Sequence, residues 1–144
     1  MSIVKRFMLA PAKTDILFII RIIVGLWIFW YGKDVFKPEW FHGRLIMWKR
    51  DYPFSNTILM LYLSKGAECF LGLTLALGFL TRIGSFVLLF VMSVAVIIGQ
   101  RWHVFPYDKG EITLFYWLFF LTFLFLGGGK YSLDSLIFKK NYEA

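Results

Sequence analysis

Four apolar stretches organise the chain. Residues 16–32 are interrupted only by Arg21, residues 58–80 only by Lys65 and Glu68, residues 83–99 carry no charge, and residues 112–128 are dense in Phe and Leu. A hydrocarbon core about 30 Å thick takes roughly 20 residues at 1.5 Å each, with about 17 as the practical minimum. Each stretch therefore suffices for one crossing, the last being about as short as a span can be. The pattern predicts transmembrane helices at about residues 14–35, 56–80, 82–101 and 111–129, packed as a left-handed bundle with near-antiparallel neighbours. Little more than Thr81-Arg82 joins the second to the third, which forces a helical hairpin. Between the first and second, Trp40, Arg44, Leu45 and Trp48 recur at helical spacing among further aromatic and basic residues. Trp and Tyr favour the headgroup level, so residues 36–54 are expected to hold a short interfacial helix over the outer mouth of the bundle. Arg101 to Tyr107 forms a second aromatic belt on the same side. Neither a repeat nor a linker divides the chain, so residues 1–144 read as one domain. The expected fold class is all-α: an integral membrane four-helix bundle with an interfacial aromatic segment between helices one and two.

Composition points the same way. Hydrophobic residues make up 59%, aromatics 21% and charged residues 17%, against about half apolar and about a quarter charged in globular chains. The excess belongs in lipid. A formal charge of +7 is spread between the apolar blocks rather than along one basic stripe, so membrane lipid headgroups are the expected acidic partner and nucleic acid is not. A lone cysteine, Cys69, excludes an intrachain disulfide, a CxxC redox pair and a multi-cysteine metal site. Met1 to Lys13 reads as a basic cytoplasmic tail rather than a cleaved signal peptide. Lys and Arg outside the spans divide seven to the terminal side and seven to the other, so the positive-inside rule is tied. Lys5, Arg6 and Lys13 flank the first span, which favours cytoplasmic termini in a multi-pass protein of a bacterial-type inner membrane.

The chemistry rests on charges inside the spans. An ionisable residue at such depth is costly, faces the bundle interior and finds a partner. Lys65, Glu68, Gly72 and Ala76 share one face of the second span within about 80°, and Arg21, Gly25 and Gly32 share one face of the first within about 40°. Small residues permit close helix approach, so these two faces are expected to meet protein. Glu68 has two candidate partners: Lys65, one turn away on its own helix, with Lys33 above, or Arg21 across the gap. Helical side chains lean towards their N-terminus, which favours Lys65; a long Arg21 side chain favours the bridge. The pair reads equally as a structural lock on helix register and as a polar pocket for a ligand headgroup. His42 and His103 lie on the loop side with Trp40 and Trp48, as interface residues, and lack a second ligand at i+3 or i+4, so no metal site is expected. Gly127-Gly128-Gly129-Lys130 follows a helix rather than a strand, so it reads as a helix end and not a phosphate loop.

Taken in order, these pieces carry a resemblance. Arg21, Gly25 and Gly32-Lys33, then Ala67-Glu68, Gly72 and Gly78-Phe79-Leu80-Thr81-Arg82, then Gly127 to Asp134, together resemble the DoxX family of small four-helix membrane proteins. The resemblance runs from about Arg21 to Asp134. It implies a four-span bundle like the membrane subunit of a thiosulfate:quinone oxidoreductase, or like members tied to redox complexes and membrane-protein assembly. Arg21, Lys33, Glu68, Arg82 and Asp134 match the family's polar positions, Arg82 and Asp134 as structural ones. No catalytic motif transfers, and the aromatic insert 36–54 exceeds a minimal member. The leading functional expectation is an accessory subunit that meets quinone or lipid at Arg21, Lys33, Lys65 and Glu68 while a protein partner supplies the redox centre. No covalently bound cofactor is expected, and any enzymatic role is that of an oxidoreductase subunit dependent on its partner. The alternative is a non-enzymatic assembly or scaffolding factor, acting with a partner or as a homo-oligomer. A small transporter ranks third, because four spans without broken helices or an inverted repeat make a poor carrier.

Overall fold

Glycine decides where the first two long helices meet. The computed structural model describes residues 16–103, 110–129 and 131–139, which are helical with no strand among them. The helices are α1 (Ile16–Lys33), α2 (Pro38–Asp51), α3 (Thr57–Leu77), α4 (Thr81–Val94), α5 (Gly110–Leu126) and α6 (Leu133–Lys139), with a 3-10 turn at Asp34–Phe36 and a π-helical turn at Ala95–Gly99 extending α4. The basic tail, most of the second aromatic belt and Lys130 lie outside the described residues.

Three helical runs are long and apolar enough to cross a membrane: Ile16–Phe36, Thr57–Leu77 and Thr81–Gly99. The fourth expected span corresponds to α5, which is apolar but has only 17 residues. At its far end Gly127, at φ 74°, stops the helix as a left-handed cap, its N–H donating to the Phe123 carbonyl at 2.8 Å. Gly78 at φ 73° ends α3 in the same manner, so the α3–α4 hairpin turns within three residues. Asn56 caps the start of α3, accepting from Leu59 N–H at 3.1 Å.

α1 and α3 run antiparallel with their backbones in contact. A Cβ placed on Gly25 would stand 2.6 Å from the Ala76 nitrogen, one on Gly72 would stand 2.6 Å from the Phe29 nitrogen, and one on Gly32 would collide with Cys69. These are the two small-residue faces seen in the sequence. α5 packs on α4, where the Trp117 indole donates to Ser93 Oγ at 2.8 Å and Gln100 Nε2 to Thr113 Oγ1 at 2.8 Å. Val24, Ile28, Leu75, Leu88, Met92, Phe120 and Phe123 form the common core. α1 and α5 scarcely touch, so the ring of long helices stays open on one side. Outward, large apolar residues such as Trp27, Phe70, Phe90 and Phe125 are exposed on every long helix, a surface suited to lipid and not to water.

α2 forms within the expected aromatic segment, over Pro38–Asp51. Its aromatics do not all turn to the surroundings: Phe41 is buried with Val35 and Leu61, and Trp40, Leu45 and Trp48 pack around that cluster. Pro38 at the first turn starts the helix, and its apolar face folds back onto α3. The short connection through Asp34–Phe36 keeps those rings close to α3.

The close crossing makes a specific prediction. Gly25→Ala and Gly72→Ala should each destabilise the detergent-solubilised protein by about 1–3 kcal/mol through overpacking. Gly66→Ala on the same α3, whose Cβ would meet nothing within 4 Å, should instead be neutral or gain about 0.5–1 kcal/mol from helix propensity. Thermal unfolding followed by helical circular dichroism compares the three.

Candidate functional site

Polar residues gather at two separate levels of the bundle, one at its terminal end and one midway along α3, with the apolar core between them. At the terminal end, Arg21 is 2% exposed. Its guanidinium donates to the Gly128 carbonyl and, at 2.9 Å, to the Tyr131 carbonyl, holding the segment after α5. Arg21 therefore does not bridge to Glu68. The N-terminal lean of a helical side chain carries it down towards these carbonyls, and Asp134 lies within electrostatic reach.

Asp134 closes the same end. Its two carboxylate oxygens accept from Leu80 N–H at 2.7 Å and Thr81 N–H at 2.8 Å, while its own N–H donates to the Gly78 carbonyl at 2.9 Å. Leu80 is left-handed at φ 49° and carries no cap of its own, so the start of α4 is capped by a residue 54 positions away. Gly78 and Gly128 leave room for this lock: a Cβ on either would stand 2.7 Å from Ser132 Cβ. Arg82 is exposed and reaches the Phe125 carbonyl at 3.4 Å. The sequence marks these residues singly, but their meeting at one end depends on the return of the chain after α5.

Midway along α3, level with Gly32 of α1, stands the ion pair. Lys65 Nζ donates to both oxygens of Glu68, at 2.8 and 2.6 Å, with side-chain exposures of 18% and 6%. Of the two partners open in the sequence, Lys65 is the one in contact. Lys33 goes elsewhere: its ammonium sits 3.2 Å from the centre of the Trp30 ring. Glu68 is not the sole polar interior feature, because the Arg21 end is buried too. Tyr116 lies within electrostatic reach of both Glu68 and Tyr31.

Between α1 and α5, where the ring of helices is open, runs an apolar cleft of about 420 Å³. Trp27, Tyr31, Phe115, Tyr116 and Phe119 are among its lining residues. Sequence reading missed them, since α5 is aromatic all round and gives no periodic signal. Trp40 carries Arg44 over its ring at 5.3 Å, Trp48 stacks on Tyr52 at 4.5 Å, and Tyr52 stacks on Phe54 at 5.7 Å. Burial pushes the Tyr52 phenol up to about 12, so it stays a neutral hydroxyl, lodged against Gly99 of the π-helical turn. His42 is exposed beside Phe41, and His103 is exposed with Nδ1 3.1 Å from the Gln100 carbonyl. Among the described residues, no three of His, Cys, Asp and Glu gather in a way that could hold a metal ion.

The terminal lock yields a prediction. Asp134→Ala removes both caps of α4 and should destabilise the protein by about 1–3 kcal/mol. Asp134→Asn keeps one acceptor and should lose roughly half as much. Urea unfolding in a mild detergent, read by tryptophan fluorescence, measures both.

No curated protein and no solved structure matches the chain. A sequence model of the DoxX family does match, over residues 16–101, which is more than half of the chain and runs from the start of α1 through the π-helical turn. The match includes Arg21, the α1–α3 glycines, Lys65, Glu68 and the α3–α4 hairpin, so this membrane protein belongs to the DoxX family.

Proposed function

We propose that this chain is a four-span accessory subunit of a membrane redox complex, of the thiosulfate:quinone oxidoreductase type. It takes the head of a quinone or lipid at the Lys65–Glu68 pair and its tail in the α1–α5 cleft. The observation that carries this reading is the cleft itself: it is apolar, and one of its lining residues, Tyr116, lies within electrostatic reach of Glu68. Pockets for small ligands are typically roughly 300–1,000 Å³, mostly apolar, with a few convergent polar groups. Lys65 and the Tyr116 hydroxyl supply donors suited to the oxygens of a quinone, and Trp27, Phe115 and Phe119 supply the apolar wall for an isoprenoid tail. Bound quinone would supply the electron acceptor; the partner protein supplies the electrons. The scaffolding alternative draws on small-residue faces, and here Gly25, Gly32, Gly72 and Ala76 are occupied within the chain by α1 and α3.

The test is the charge of Glu68. Glu68→Gln leaves a buried cation without its counter-ion and should cost about 3–5 kcal/mol of stability. The pair Lys65→Met with Glu68→Met should restore stability, since apolar residues replace a buried pair at little loss. Native mass spectrometry of each protein with a short-chain ubiquinone analogue then separates the readings. Retention by the parent and loss in the restored double variant supports the ligand site. Equal retention in both makes the pair a structural lock only.

The same proposal includes four crossings with cytoplasmic termini and α2 at the opposite surface. In a Cys69→Ala background, single cysteines at Arg82 and at Ser135 should label from the cytoplasmic side and one at Trp48 from the other. Labelling of all three from one side overturns the four-span topology.

A further inference from the structure

A second pocket lies away from the Lys65–Glu68 pair and is built differently. It occupies about 300 Å³ between the C-terminal end of α2 and the π-helical turn, lined by Lys49, Arg50, Asp51, Tyr52, Pro53, Ile98 and Arg101. Three of these side chains are cationic and one is anionic. Arg50 holds Asp51, Nε to Oδ1 at 2.9 Å. The lining therefore sets three cations against a single carboxylate. Like charges brought together raise the energy of the site, and an anion between them lowers it.

The backbone here is strained in a way that serves this arrangement. Arg101 and Trp102 both adopt left-handed φ, 49° and 62°, although neither is glycine. Consecutive left-handed residues with side chains are unfavourable and persist where surrounding contacts impose them. Two such contacts are present: Trp102 N–H donates to the Val96 carbonyl at 3.1 Å, and His103 N–H to the Gln100 carbonyl at 2.8 Å. The π-helical turn and this reversal bring Arg101 to the pocket and leave Trp102 67% exposed beside it. π-Helical turns recur at functional positions.

The setting selects the anion. The pocket sits where α4 ends, at the mouth of the membrane-spanning region, and the Trp48–Tyr52–Phe54 stack, Pro53 and Ile98 give it an apolar flank. Aromatic and basic residues side by side at the end of a span are the arrangement that engages a lipid headgroup and the first part of its chains. A free phosphate ion would use the cations and leave the flank unused. We propose that this pocket binds the phosphodiester headgroup of an anionic phospholipid, with Lys49 and Arg101 as its principal cations and Arg50 shared with Asp51.

Phosphatidylglycerol is the probe, with phosphatidylcholine as its zwitterionic counterpart, added to the full-length protein in a non-ionic detergent. Native mass spectrometry should show phosphatidylglycerol retained over phosphatidylcholine. At about 1 kcal/mol per basic residue near a membrane surface, Lys49→Gln or Arg101→Gln should weaken that preference roughly fivefold each, and together about thirtyfold. Asp51→Asn removes the competing carboxylate and should strengthen it. Arg44→Gln, a basic residue of α2 outside the lining, should leave it unchanged. An equal loss with Arg44→Gln would reduce the effect to general surface charge, and a loss with Asp51→Asn would contradict the site. Displacement by millimolar inorganic phosphate would make it a free-anion pocket instead. If Arg101→Gln fails to fold, Lys49→Gln and Asp51→Asn still decide in opposite directions.

Discussion

The backbone contact between α1 and α3 is the constraint on which the rest depends. In lipid there is no hydrophobic gain in bringing two apolar helices together, so association rests on close packing and on hydrogen bonds. Gly25, Gly32 and Gly72 remove the side chains that would hold the helices apart, and the small Ala76 faces Gly25 on that seam. Once the seam is set, the register of everything on both helices follows. Gly32 lies against Glu68 and Cys69, so the carboxylate is enclosed there, and Gly25 lies against Ala76, so Arg21 emerges beside Gly78 at the terminal end.

That register also explains why the two buried ionic features have separate roles. Arg21 and Asp134 satisfy backbone: carbonyls after α5 in one case, amides at the start of α4 in the other. Backbone groups left unpaired in a low-dielectric setting are expensive, and a charged partner is a strong way to pair them. Lys65 and Glu68 satisfy each other, side chain to side chain within one helix. One feature therefore clasps distant backbone, and the other is a local pair.

The open side of the ring has the same origin. α1 is bound so tightly to α3 that it does not close against α5, whose own neighbour is α4. The gap becomes a cleft lined by aromatic side chains instead of a packed helix interface. α2 meanwhile is drawn onto α3 by Phe41 and its neighbours, which leaves its basic last turn, Lys49 and Arg50, at the π-helical turn.

Much of this was legible in the chain. Apolar runs of sufficient length give long helices because lipid demands internally satisfied backbone, and the small-residue faces of α1 and α3 follow from helical periodicity alone. Family membership was readable from the order of Arg21, Glu68 and Gly78, and so was the α3–α4 hairpin, although its turn is residues 78–80 and Thr81-Arg82 open α4. Other features were decided only by tertiary structure. Whether Glu68 meets Lys65 or Arg21 depends on side-chain direction and on which carbonyls lie near, and Gly128 and Tyr131, 107 and 110 residues away, claim Arg21. Asp134 as the cap of α4 is invisible at a separation of 54 residues. The cleft lining escapes notice because a uniformly aromatic α5 has no polar face to betray its orientation, and the left-handed turn at Arg101 and Trp102 has no glycine to announce it. Local pattern fixes what depends on neighbours a few residues away; contacts between distant segments are set by packing, which a single sequence does not display.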